Sequence, residues 1–294
     1  MPSLHIVACV LLAGVTSSSA AIYDRFESLP GVKYDFIVIG GGTAGNVVAN
    51  RLTEDPRVNV LVFESGPSNE GVLDSIVPFF ATSLENTAYD WNFTTTPQRG
   101  LSGRSLAYPR GHILGGSSSI NGMFYTRGSS SDFDRFAAVT QDPGWSWNNI
   151  QPYIRKNERW TTPADHHNTQ GQFDPSVHGF NGINAVSLSG FPQPTDPRVM
   201  QTTVQLSQEF PFNQDTNSGN PLGLGWLQTT IDHGKRSSSA TSYLGPRVLQ
   251  TKSNGHTIAI RAVEFTDVNR PGPRMTLTAS KELLQVQSAL LISS

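Results

Sequence analysis

The order of apolar and polar positions predicts strand, helix and strand near the start of the chain. Tyr34-Asp35-Phe36-Ile37-Val38-Ile39 is an apolar, β-branched run of the kind a buried strand requires. Gly40-Gly41-Gly42 ends it. Ala44 to Thr53 reads as a helix with Val47, Val48 and Leu52 on one side. Val58-Asn59-Val60-Leu61-Val62-Phe63 is a second apolar strand, and Glu64 closes it. Together these form a βαβ unit. Residues 66–110 are turn-rich, and 111–131 are rich in Gly and Ser. Helices are expected near Asp132 to Val139, over Trp147 to Arg159 and over 198–210, with a loop-like stretch over 160–195. Leu222 to Ile231 alternates as a strand does, and 255–284 predicts two short strands, Thr257 to Phe265 and Met275 to Leu283. No internal repeat is evident.

The turn of the βαβ unit carries candidate chemistry. In Gly40-x-Gly42-x-x-Gly45 the first glycine permits the tight turn and the second lets a pyrophosphate reach the backbone. The third lets helix and strand pack closely. The helix N-terminus, with Thr43 and Ala44, offers N–H groups and a positive dipole end to phosphates. Glu64 lies nineteen residues after Gly45, where a carboxylate accepts hydrogen bonds from a ribose diol and repels a 2′-phosphate. An ordinary strand-turn-helix corner would share the glycines but has no use for the acid. The fingerprint alone does not separate FAD from NAD.

A second glycine motif runs from Tyr108 to Gly128, as Tyr108-Pro109-Arg110-Gly111-His112-Ile113-Leu114-Gly115-Gly116-Ser117-Ser118-Ser119-Ile120-Asn121-Gly122-Met123-Phe124 and onward. Its small residues let backbone come close to a flat, phosphate-bearing molecule, and its serines supply donors. A flexible Gly/Ser linker would lack the interleaved Ile113, Leu114, Ile120, Met123 and Phe124.

With these motifs the chain resembles the glucose-methanol-choline (GMC) oxidoreductases, in particular their aryl-alcohol oxidase-like branch. The resemblance runs from about Tyr34 to Pro246. It rests on Gly40 to Gly45, Glu64-Ser65-Gly66, the long motif, and Arg236-Ser237-Ser238-Ser239-Ala240-Thr241-Ser242-Tyr243-Leu244. It implies an α/β fold: a Rossmann-like FAD/NAD-binding domain over 33–294 with an interleaved antiparallel sheet on the substrate side, about 150–232. It also implies FAD, with Glu64 on the adenosine ribose and the flavin along Ile113 to Gly116 and Asn121 to Phe124. Arg110, Ser118 and Gly122 complete the candidate cofactor set. Some relatives attach FAD covalently through a His at the position of Ile120. Isoleucine cannot form that bond, so non-covalent FAD is expected. His112 stands where relatives often carry Lys or Arg.

The implied reaction is oxidation of an alcohol CH–OH group, with oxygen or a quinone as electron acceptor. The family's catalytic histidine lies near the C-terminus of a chain roughly twice as long. No catalytic residue is therefore assigned among His5, His112, His166, His167, His178, His233 and His256. His166-His167 reads as a solvated pair without carboxylate company rather than a metal pair. After Pro246 the chain passes directly to Arg247-Val248-Leu249-Gln250-Thr251, which resembles sequence from beyond the next family strand. The end loses the family's pattern after Lys281 to Gln285. A C-terminally truncated product is expected. The alternatives are a non-catalytic FAD-binding remnant and an NAD-dependent dehydrogenase, the latter without a use for residues 108–128.

Composition adds the setting. In 294 residues with a formal charge of -2, nothing electrostatic points to nucleic acid. Hydrophobic residues at 37% suffice for a core. The apolar run Ile6 to Val15, then Thr16 to Ala20, reads as a secretory signal over 1–20, too short to span a membrane. The single cysteine, Cys9, lies inside it, so no disulfide is expected in the mature chain. Asn92-Phe93-Thr94 is a glycosylation sequon, in keeping with secretion.

Overall fold

The computed structural model describes Leu29 and residues 33–244, 262–267 and 270–285. The expected signal segment, Arg247 to Thr251, and Thr257 to Arg261 lie outside the described residues, as do His5, Cys9 and His256. In chain order the elements are β1 (Phe36–Ile39), α1 (Gly45–Leu52), β2 (Val60–Phe63), α2 (Leu73–Ile76), β3 (Phe93–Thr94), β4 (Ala107–Tyr108), α3 (Ser130–Thr140) and α4 (Trp147–Asn157). There follow β5 (Glu158–Trp160), β6 (Asn184–Leu188), α5 (Asp196–Gln205), β7 (Gln228–Thr229), β8 (Ile231–Asp232), β9 (Lys235–Arg236), α6 (Ser239–Tyr243), β10 (Ala262–Asp267), β11 (Arg270–Thr278) and β12 (Glu282–Gln285).

The nucleotide-binding layer is a parallel sheet of order β12-β1-β2. Phe36 pairs with Val60 on one side and with Glu282 on the other. Ile37 and Val38 are completely buried at its centre, which explains why β1 is apolar on both faces. The α1 helix returns over this sheet, and Gly45 permits the approach: a Cβ there would stand 1.8 Å from the Gly40 carbonyl oxygen. The expected strand Met275 to Leu283 is divided into β11 and β12. Between them Ser280 and Lys281 turn the chain, their N–H groups donating to Tyr34 O (2.8 Å) and Asp35 O (2.9 Å).

A second sheet, of order β5-β6-β7, lies within the 150–232 portion and is mixed rather than antiparallel as expected. Its β6–β7 pair is antiparallel and its β5–β6 pair parallel. Four sequence expectations are corrected here. The helix expected through Arg159 ends at Asn157, because Glu158 is wholly buried and bound to Arg127 and His178, and the chain straightens to place it. The loop expected over 160–195 contains β6, whose Ala185, Val186 and Leu188 are core residues. The strand expected over 222–231 reduces to β7 and the start of β8, separated by Thr230. The helix expected over 198–210 begins two residues earlier, with Pro197 in its first turn, and ends at Gln205.

Candidate cofactor site

The candidate site forms where the β1–α1 turn meets the second glycine motif. Gly40 has φ 98°, in the left-handed region that glycine enters without steric penalty. A Cβ on Gly42 would meet only Gly116 Cα, at 3.9 Å, so this glycine faces open space. Thr43 and Ala44 are exposed, and the N–H groups of Gly42, Thr43 and Ala44 donate to no described residue. The α1 N-terminus has no side-chain cap. Its uncapped amides and positive end are what an anion requires.

Glu64 first bolts this loop together. Its Oε2 accepts from Gly41 N at 2.7 Å and its Oε1 from Gly66 N at 2.8 Å. Oε1 also accepts from Ser65 Oγ at 3.4 Å, whereas Oε2 keeps a further lone pair, so the carboxylate remains able to accept from a diol.

The second motif touches the first, backbone to backbone. Gly115 N donates to Gly41 O at 2.7 Å, and a Cβ on Gly116 would stand 2.8 Å from Gly42 Cα. Sequence reasoning missed the parts that hold this contact. Ser239 Oγ donates to Gly42 O (3.1 Å) and accepts from Asn46 Nδ2 (3.0 Å), and its N–H donates to Ser118 Oγ (2.9 Å). Asn46 Nδ2 also donates to Gly41 O at 2.9 Å. Arg236 is buried beneath Asn121. Its Nη1 donates to both Asn121 O and Asn121 Oδ1 at 2.7 Å, and its Nε donates to Ser75 O at 2.7 Å. Burial lowers its pKa to about 10. Arg236 Nη2 and Asn46 Oδ1 are buried with no hydrogen-bond partner.

The remaining sequence-predicted residues divide by exposure. Ile113 is completely buried against Leu84 and Ile120, so its backbone, not its side chain, borders the strip. Ser118 is committed to Gly115 O (2.6 Å) and to Ser239. The Arg110 guanidinium lies over the Tyr108 ring at 3.6 Å, with Nη1 on Pro109 O. Asn121, Gly122 and Phe124 are exposed, whereas Met123 is buried at φ 62°. Its carbonyl accepts from Thr230 N at 2.9 Å, which stabilises an uncommon conformation.

The histidines are better partnered than their sequence suggests. His167 is not merely solvated: Nδ1 lies 2.6 Å from Asp165 Oδ1 and Nε2 lies 3.0 Å from Gln172 Oε1. The hydrogen bond from His167 pulls the Asp165 pKa down to about 2. The turn at His166, φ 55°, brings the acid two residues upstream back to the ring. His178 is fully buried between Glu158 and Asp215. No helix among the described residues is long and apolar enough to cross a membrane.

A βαβ unit with uncapped loop amides, a carboxylate at the second strand end and a second glycine loop against the first defines a nucleotide-cofactor-binding α/β protein. The family model described as GMC oxidoreductase matches residues 34–265, and the chain belongs to that family. It is 45% identical to pyranose dehydrogenase 3 of Leucoagaricus meleagris over 95% of this chain and 49% of that protein. It is 42% identical to dehydrogenase eriK of Hericium erinaceus over 93% of this chain and 48% of that one. A solved FAD-dependent oxidoreductase from Chaetomium thermophilum superposes with a TM-score of 0.72 at 30% identity, covering 86% of this chain and 45% of that chain. The chain spans about half the length of the curated relatives it matches.

Proposed function

We propose that this chain is the FAD-binding portion of an oxidoreductase that oxidises CH–OH groups. The observation that carries the reading is the direct contact of the two glycine loops beside the uncapped α1 N-terminus. An NAD-dependent dehydrogenase needs only the first loop. The residues present fit FAD. The amides of Gly42, Thr43 and Ala44 receive the pyrophosphate, and the lone pair left on Glu64 Oε2 receives the adenosine ribose. The backbone strip Ile113 to Gly116 and Asn121 to Phe124 borders the flavin. The unpartnered Asn46 Oδ1 and Arg236 Nη2 are in keeping with a site that a ligand completes. Ile120, buried in an apolar cluster, offers no atom for a covalent tether, so FAD is held non-covalently.

FAD supplies a hydride acceptor for a carbon whose hydroxyl proton a base removes. This chain's part is to bind and orient that acceptor. Similarity to pyranose dehydrogenase favours a sugar hydroxyl as the alcohol, with oxygen or a quinone as the terminal acceptor. The domain spans 33–294 with its substrate-side portion at about 150–232. Secretion accords with the apolar run at Ile6 to Val15 and with the exposed sequon residues Asn92 and Thr94 at hairpin β3–β4.

The test is the visible spectrum of the purified chain after gel filtration. Oxidised-flavin bands that travel with a monodisperse species support the reading. A colourless protein after incubation with FAD overturns it and leaves a fragment whose family resemblance no longer carries function. Turnover of sugars and simple alcohols with a quinone acceptor then separates an active enzyme from a binding domain.

A further inference from the structure

The substrate side encloses a cluster of charge that the cofactor site does not use. His178 lies with Nδ1 2.6 Å from Glu158 Oε1 and Nε2 2.7 Å from Asp215 Oδ2. The Arg127 guanidinium pairs with Glu158 Oε2. All four side chains are at most 3% exposed. The Trp160 ring covers the imidazole, centroids 4.1 Å apart, with Phe173 behind it. Tyr125 also borders the cluster, with the Arg127 guanidinium 5.7 Å from its ring centroid, and Asp174 N donates to Asp215 Oδ2 at 3.1 Å.

Carboxylate oxygens accept hydrogen bonds and donate none. A neutral imidazole carries one N–H, so it would satisfy one carboxylate and turn a lone pair on the other. With both ring nitrogens protonated, both contacts are made. The charges then balance as well: Arg127 and His178 against Glu158 and Asp215. A neutral ring would leave one uncompensated negative charge in a dry interior, which is costly.

The cluster is tied to the segment that borders the cofactor. Arg127 N donates to Asn217 Oδ1 at 2.6 Å, and Asn217 Nδ2 donates to Tyr125 O (3.1 Å) and Gln228 Oε1 (2.6 Å). Gln228 Nε2 donates to Asp215 Oδ1 at 3.0 Å, and Gln228 O accepts from Tyr125 N at 3.0 Å. Tyr125 directly follows Asn121 to Phe124. We propose that His178 is a positioning residue, a buried imidazolium whose second proton locks residues 125–127 and so sets the posture of the Asn121–Phe124 strip beside the flavin. The link to flavin rests on the FAD reading above; the imidazolium does not.

Burial alone would lower the His178 pKa, but the hydrogen bonds the ring donates to Asp215 and Glu158 outweigh it and raise it. Burial would raise Asp215, and its bond to His178 reverses that. A raised histidine stabilises fully below its unfolded value and loses the contribution as pH rises through the elevated one. A lowered carboxylate loses its contribution in acid. The lock therefore releases on the alkaline side and, separately, in strong acid.

The first measurement is nitrogen-edited NMR of the intact chain labelled at histidine. It needs neither a variant nor bound flavin. We expect both His178 ring nitrogens to carry protons at neutral pH; a single proton there overturns the proposal. The second compares His178→Gln with His178→Gln/Asp215→Asn. The single variant leaves the interior negative. We expect it to weaken FAD binding about tenfold and to shift the flavin visible bands, with the neutral double variant recovering most of both. A double variant no better than the single overturns the charge-based role. Should the chain take up no FAD, the protonation state and the recovery of thermal midpoint by the double variant still decide the imidazolium, while the loss of flavin counts against the FAD reading alone.

Discussion

At the scale of single residues, the glycines and Glu64 were legible, because their demands are local: a turn, a close approach, a fixed distance along the chain. Gly45→Ala would place a Cβ 1.8 Å from backbone that cannot yield. We expect a loss of about 3 kcal/mol in unfolding free energy measured in urea, together with loss of bound flavin. Glu64→Gln retains one acceptor but turns an amide donor toward Gly41 N or Gly66 N. FAD affinity, followed by flavin fluorescence titration, should fall about ten- to a hundredfold, the worth of one charge-assisted hydrogen bond. Ser239, Asn46 and Arg236 were not legible as parts of the site. Asn46 and Ser239 are 193 residues apart and acquire a role only when α6 closes on α1. His167 was misread for a smaller reason, since one left-handed residue, His166, curls Asp165 back onto it.

At the scale of elements, the βαβ unit followed from periodicity, and α3 and most of α4 lie where the sequence predicts helices. Ser129 caps α3 by accepting from Asp132 N, while the Asp132 carboxylate accepts from Ser129 N. Ser129→Ala should cost about 1 kcal/mol in thermal or denaturant unfolding, with little effect on flavin binding. Ser239→Ala is the contrasting case. It removes one hydroxyl that joins the β1–α1 turn, α1 and the second glycine loop, and should weaken flavin retention more than it lowers the unfolding midpoint. Equal loss in both measurements would contradict a brace specific to the two loops. The elements that escaped detection are those set by partners distant in sequence. The five residues of β6 carry no periodicity of their own beside so many loop signals, and the end of α4 is decided by what Glu158 binds.

At the scale of the whole molecule, the α/β class was readable from one unit, whereas the exposed surface was not. Phe79 is 89% exposed, Val204 78%, Leu222 76% and Phe124 68%. Apolar surface of this kind favours association. The chain should therefore enhance the fluorescence of a hydrophobic dye in its folded state, and its gel-filtration volume should depend on concentration. A folded, dye-silent monomer would contradict this. The placement of β12 beside β1 carries a consequence in time. Strand β1 is flanked by β2, which follows it closely, and by β12, which lies at Glu282–Gln285. At about 5–20 residues per second, a ribosome delivers β12 on the order of tens of seconds after β2. Throughout that interval the β12 side of β1 stands bare, an unpaired edge open to wrong partners until the chain that completes it arrives.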